Sequence, residues 1–291
     1  MKGVPALFVG LVDDAAMFPP GSAEVPQALA AHREYRRSWF APMVGPLVVS
    51  DQKLAELGRA LQRIEDPSAP PVIGDLDVSV VNTGGAGGLV SLAGRQPVGL
   101  RLRAVESALR DLDDLAGNAS RVVSAAGELD AGVQVFVELP YAPGWERAVE
   151  VVEAAGLFGK LRTGGPGPAD TPSTTQLAHQ LSVLVEADLP FKATAGLHHA
   201  WPAPGPEADQ PRQHGFLSLL AAVDALVAGA SQAEAAELLA GGDPAAVLSA
   251  LAGWSDTGSA SVRRRLRSFG CCGVTDPLAD LVALGLLEEP R

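Results

Sequence analysis

A short apolar run, a turn rich in Gly, Pro, Ser or Asp, then an amphipathic stretch: this unit recurs along almost the whole chain. Strands alternating with helices demand a parallel sheet, because a parallel partner is reached only through a crossover. Strands are expected at Ala6–Val12, Pro46–Val49, Val78–Val81, Val98–Leu102, Val133–Leu139, Phe158–Leu161 and Phe191–Ala195, with an eighth around Val262–Phe269. Helices are expected over Val25–Trp39, from an Asp51 N-cap to Ile64, near Ser107–Leu115, and over Trp145–Ala155, Ser173–Ala187, Gly215–Ala228 and Pro277–Leu286. Several strands read as apolar runs without alternation, which fits burial on both faces. Seven or eight such units in 291 residues fit a single (β/α)8 barrel. The competing fold is an open doubly wound sheet. It predicts a dinucleotide fingerprint after the first strand, where Asp13-Asp14-Ala15-Ala16 stands instead.

Two segments depart from the repeat. Residues 199–213 carry Pro202, Pro204, Pro206 and Pro211 and read as a long loop or lid. Residues 231–253 are alanine-rich and helical, an insertion before the last strand that reads as a cap or an oligomer contact.

Charge and cysteine content narrow the function. The formal net charge of −12 argues against nucleic acid and anionic membrane surfaces as partners. No stretch reaches the length of a membrane span, and the apolar run Val4–Val12 stops at Asp13-Asp14 instead of a cleavage site. The two cysteines, Cys271 and Cys272, are adjacent and cannot form an ordinary unstrained disulfide. A cytoplasmic protein is expected, with a homo-oligomer left open. Cys271 and Cys272 read as buried small residues.

In a barrel, chemistry sits at the C-terminal ends of the strands. Those positions here include Asp13, Asp14, Asn82, Arg101, Arg103, Glu138, Lys160, Arg162, Thr163, Lys192, Thr194, His198, His199, Ser268 and Cys271. Only four of the 22 basic residues are lysines: Lys2, Lys53, Lys160 and Lys192. The last two stand inside apolar strands. Burial lowers an amine's pKa, and a neutral amine attacks carbonyl carbon to give a Schiff base, which Arg cannot do. The bland alternative is an ammonium paired with Glu138 or an Asp.

Lys192-Ala193-Thr194-Ala195-Gly196 resembles the Schiff-base strand of deoxyribose-phosphate aldolase and related class I aldolases. Lys160-Leu161-Arg162-Thr163-Gly164-Gly165 is similar to that family's second lysine strand, with its Gly-Gly turn, although the order of the two strands is reversed. As a whole the chain resembles an uncharacterised (β/α)8-type family of high-G+C bacteria. The aldolase resemblance implies a lyase working through a lysine imine.

The remaining candidates fit around that chemistry. Thr163-Gly164-Gly165, Ala195-Gly196 and Gly270–Gly273 follow three successive strands and could seat a phosphate or carboxylate, with Arg162 as counter-charge. Thr83–Gly88 is a weaker anion loop. His198, His199 and His214 bracket the Pro-rich segment, and His198, nearest Lys192, is the preferred general acid or base. Asp14 would orient a lysine or a substrate hydroxyl, or merely brace a loop. The expected enzyme acts on a small anionic, oxygenated metabolite and calls for no cofactor and no metal. Lys192 is its nucleophile, Lys160 tunes it, Glu138 or His198 moves protons, and Arg162 holds the anion. Thr163, Gly164, Thr194, Asn82 and His199 complete the substrate contacts. Two alternatives stand beside this. One is a metal-dependent isomerase or hydrolase using Asp14, Glu138, His198 and His214; the other is a non-catalytic binding barrel.

Overall fold

The computed structural model describes residues 3–64, 76–94, 99–165, 167, 170–205, 210–253 and 256–290. Lys2, Val98 and positions 206–209 of the Pro-rich segment lie outside them. Eight parallel strands close into a barrel in sequential order. They are β1 (Val12–Asp14), β2 (Val44–Ser50), β3 (Leu76–Asn82), β4 (Leu100–Ala108), β5 (Gln134–Glu138), β6 (Phe158–Arg162), β7 (Phe191–Thr194) and β8 (Leu266–Cys271). This is a (β/α)8 barrel, as the repeat dictates, and not an open sheet.

The helices pack outside. They are α1 (Val25–Tyr35), α2 (Leu54–Ile64), α3 (Gly85–Ala93), α4 (Leu115–Ala126), α5 (Trp145–Ala154), α6 (Thr174–Glu186) and α7 (Phe216–Val227). The insertion follows as α8 (Gln232–Leu239), α9 (Pro244–Gly253) and α10 (Asp256–Arg265), and α11 (Thr275–Ala283) closes the series. Local chemistry starts several of them. The Ser173 hydroxyl accepts the Gln176 N–H to cap α6, Asp114 accepts the Gly117 N–H for α4, and Ser231 with Glu234 forms a full capping box on α8. Residues such as Leu29, Leu57, Leu89, Val122, Val149, Leu181 and Leu220 face the sheet and are fully buried.

Four boundaries correct the sequence reading. Ala6–Phe8 is a 3-10 turn, and the first strand begins only at Val12. Asp51 does not cap α2; its carboxylate accepts the Thr83 N–H and hydroxyl, tying the end of β2 to that of β3. The glycine run after Asn82 becomes the first turns of α3 instead of an anion loop. Most consequentially, β4 does not stop at Leu102. It runs to Ala108, and the helix expected near Ser107 starts at Leu115. Arg101 and Arg103 therefore sit near the start of β4, where both reach Asp77, and not at its functional end.

The barrel interior is usually filled with branched apolar side chains. Here one layer is ionic. Asp13, Glu106, Lys160 and Lys192, from β1, β4, β6 and β7, are all buried, and Lys192 is among the largest fully buried side chains. The sheet register puts Glu138 beside Lys160, and Lys160 beside Lys192. Beneath lie the Phe136 and Phe158 rings, 5.1 Å apart, with the Lys192 ammonium 5.4 Å from the Phe136 ring centre.

Candidate active site

A cavity of about 450 Å3 opens at the C-terminal face of the barrel. Glu106, Glu138, Lys160 and Lys192 form part of its wall, with Arg162 and Arg110 also on the lining. Phe18, Pro19 and Pro20, from the loop after β1, supply an apolar side. Gln210, Pro211 and Gln213 line another, in a segment closed on itself by paired backbone bonds between Ala203 and Gln213.

The ionic side chains form one alternating chain. Asp13 pairs with Lys192 and also accepts the Ser268 hydroxyl. Lys192 donates to Glu106 at 2.7 Å, and Glu106 takes Lys160 at 2.8 Å on its other oxygen. Lys160 meets Glu138 at 2.9 Å, and Glu138 meets Arg162 at 2.9 Å. Ser79 adds a hydrogen bond to Glu106 at 2.7 Å. Gly45 on β2 makes room for the first link, since a Cβ there would fall 2.2 Å from the Asp13 carboxylate.

Protonation follows from these contacts. Burial would raise Glu106, but Lys160 and Lys192 hold its carboxyl far below the usual range. Glu138 is likewise lowered by Lys160 and Arg162 against the pull of burial. For Asp13 burial wins over Lys192, and its pKa is raised. Burial would depress the Lys192 amine, yet Asp13 and Glu106 reverse this and hold it above its ordinary value. The expectation of a depressed Lys192 is thus overturned: Asp13 and Glu106 keep the proton on this buried amine.

A second cluster lies on the same cavity at the end of β8. His198 and Cys272 line it. The Cys272 sulfur is 3.4 Å from His198 Nε2, while Asp276, in the first turn of α11, meets Nδ1 at 2.8 Å. Cys271 is buried 3.6 Å from Nδ1 and turns its thiol to the Gly273 carbonyl at 3.3 Å. The thiols of Cys271 and Cys272, and then Asp276, hold the imidazole above its usual pKa; burial pushes the Cys271 thiol up. Gly273 leaves space for Asp276, because a Cβ there would lie 2.5 Å from its carboxylate.

The other sequence candidates divide. Asn82, Gly164 and Thr194 reach the cavity. Thr163 does not; it is buried, with its hydroxyl donating to the Ala195 carbonyl at 2.6 Å. That bond anchors a left-handed Ala195 (φ 69°) beside Gly196, whose backbone touches that of Gly164. His199 points away and pairs with Asp280 at 3.4 Å. Asp14 faces outward to His32 on α1, so the adjacent Asp13 is the interior carboxylate. Side chains on a strand alternate between faces, and a one-residue choice decided the matter.

The metal set read from sequence does not assemble. Asp14 is on His32, Glu138 is on Lys160 and Arg162, and His214 is buried against the Pro172 carbonyl. Among the described residues, His198, Cys271 and Asp276 offer ligand atoms within 4.8 Å of one another. Their hydrogen bonds to one another and to Gly273 are complete without an ion, and neither Cys271 nor Asp276 lines the cavity.

Glu106 is a residue of the candidate site that sequence reasoning missed. Its signal was the alternation of Ala104, Glu106 and Ala108 on one face of an extended β4, after a register shift that leaves Leu102 on the other face.

No protein-family model matches the chain, and no curated protein matches it. Among solved structures, a match is found to the carboxyl transferase domain from Rhizobium etli pyruvate carboxylase with pyruvate and biocytin. Identity is 16% over 87% of this chain and 45% of that chain, with a TM-score of 0.39. Among the described residues, no helix is long and apolar enough to cross a membrane.

Proposed function

We propose that the protein is an enzyme that takes a small anionic carbonyl compound into the cavity and acts on it through an imine formed on Lys160. The observation that supports this most is the sharing of Glu106 by two lysines from adjacent strands, at 2.7 and 2.8 Å, on the cavity wall. Lys192 is locked by Asp13 and Glu106 as an ammonium, which moves the nucleophile's role from Lys192 to Lys160. Lys160 gives a proton to Glu138, whose side chain is 15% exposed against 2% for Glu106. The freed amine attacks the carbonyl carbon. The carbinolamine then loses its hydroxyl as water, taking that proton from Glu138, and leaves the protonated imine paired with the restored carboxylate. Lys192 places a fixed positive charge beside the reacting centre. Arg162 and Arg110 offer cationic side chains for the anionic end of the substrate.

The test is borohydride reduction in the presence of aldehydes, ketones and 2-oxo acids, read by intact mass and peptide mapping. A stable adduct on Lys160, absent in Lys160→Met, is the expected result. An adduct on no lysine with any carbonyl overturns the reading.

A further inference from the structure

We propose that Cys272, His198 and Asp276 form a nucleophilic triad on the cavity wall, able to take the acyl group of a small ester or thioester. This goes beyond the lysine chemistry and uses none of its residues.

Nucleophile, base and orienting group stand in order. Asp276 accepts from His198 Nδ1 at 2.8 Å, which orients the ring with Nε2 toward the cavity thiol. Nε2 faces the Cys272 sulfur at 3.4 Å, within reach of a thiol proton. The neighbouring thiol does not compete. Cys271 is buried and points at a carbonyl, whereas Cys272 is half-buried and borders the cavity. Cys272 also lies three residues before α11, where the helix N-terminus favours a sulfur anion. The geometry recruits three separate segments: the end of β7, the end of β8 and the first turn of α11. Gly273 is required between the last two to admit the Asp276 carboxylate.

The step balances without an outside oxidant or cofactor. The proton shared by Cys272 and His198 sits on Nε2, and the Cys272 sulfur attacks the acyl carbon. As the S–C bond forms, the bond from carbon to the alkoxide or thiolate breaks, and that leaving group takes the proton from Nε2. Water then attacks the thioester carbon. The S–C bond breaks, and the proton returns through Nε2 to sulfur.

The probe is p-nitrophenyl acetate with the full chain. Nitrophenolate release is followed in time, the label is mapped by peptide mass, and bound zinc is measured on the same sample. One acetyl group on Cys272 is expected, absent in Cys272→Ala and in the milder Cys272→Ser. The acylation rate should fall on the order of 100-fold in His198→Asn, the loss of a general base, and by a smaller factor in Asp276→Asn. Labelling of Cys272 at an unchanged rate in His198→Asn overturns the proposal, since it describes only an accessible thiol. Labelling elsewhere overturns it too, as does stoichiometric zinc whose removal is needed before Cys272 reacts. None of these results bears on the borohydride adduct, so the two readings fail separately.

Discussion

The cavity has two ionisable regions built on different principles. In the barrel interior, Asp13, Lys192, Glu106, Lys160, Glu138 and Arg162 neutralise one another in sequence, each contact drawn from a different strand or its neighbour. At the end of β8, Cys272, His198 and Asp276 form a short relay in which the Asp276 side chain is 44% exposed. The interior is costly to assemble and costly to break, because a desolvated charge without its partner has nothing to replace the lost water. The outer relay is cheap to alter because solvent stands by. Stability is concentrated in the first region, and the second tolerates substitution.

The largest test of that contrast is Glu106→Gln. It leaves two buried ammonium groups short of their shared carboxylate, and should destabilise the fold by about 3–5 kcal/mol in urea unfolding. Gly45→Ala comes next. It forces a methyl group against the Asp13 carboxylate and should cost about 1–3 kcal/mol, read the same way. The smallest change in stability is expected for Asp276→Asn, within about 0.5 kcal/mol, although it slows Cys272 acylation. If Asp276→Asn proved as damaging as Glu106→Gln, the division would collapse.

pH separates the two regions from opposite sides. Glu106 and Glu138 have depressed pKa values when folded, so the stability they contribute is present above an unfolded value of about 4.3 and lost as pH falls through their folded values. Asp13, raised by burial, opposes them in acid. His198 is raised, so its contribution is complete below about 6.5 and lost as pH climbs through its folded value. Melting temperature should therefore drop on the acid side below about pH 4, by an amount that His198→Asn leaves unchanged. The same variant should flatten a shallower decline in the alkaline range.

The fold was legible because the strand–helix repeat is periodic and local. Lys160, Lys192 and Glu138 were legible too, as charges stranded inside apolar runs. Glu106 was hidden by the polar residues around it, Arg103 and Ser107, which made the second half of β4 look like a helix start. The choice of Asp14 over Asp13 turned on which face of a three-residue strand looks inward, and so short a strand carries no alternation to read. Cys272 was hidden for another reason. Its partner His198 is 74 positions away, and such proximity comes from closure of the barrel, which no local pattern encodes.

The six-membered ionic chain also has a consequence for how the protein handles protons. Three acids and three bases sum to zero, so a proton handed from Lys160 to Glu138 stays in the same inventory. Bulk solvent need neither supply nor receive it. The heat of binding a carbonyl ligand should then be the same in buffers of very different ionisation enthalpy, the calorimetric mark of a site that keeps its own proton reserve.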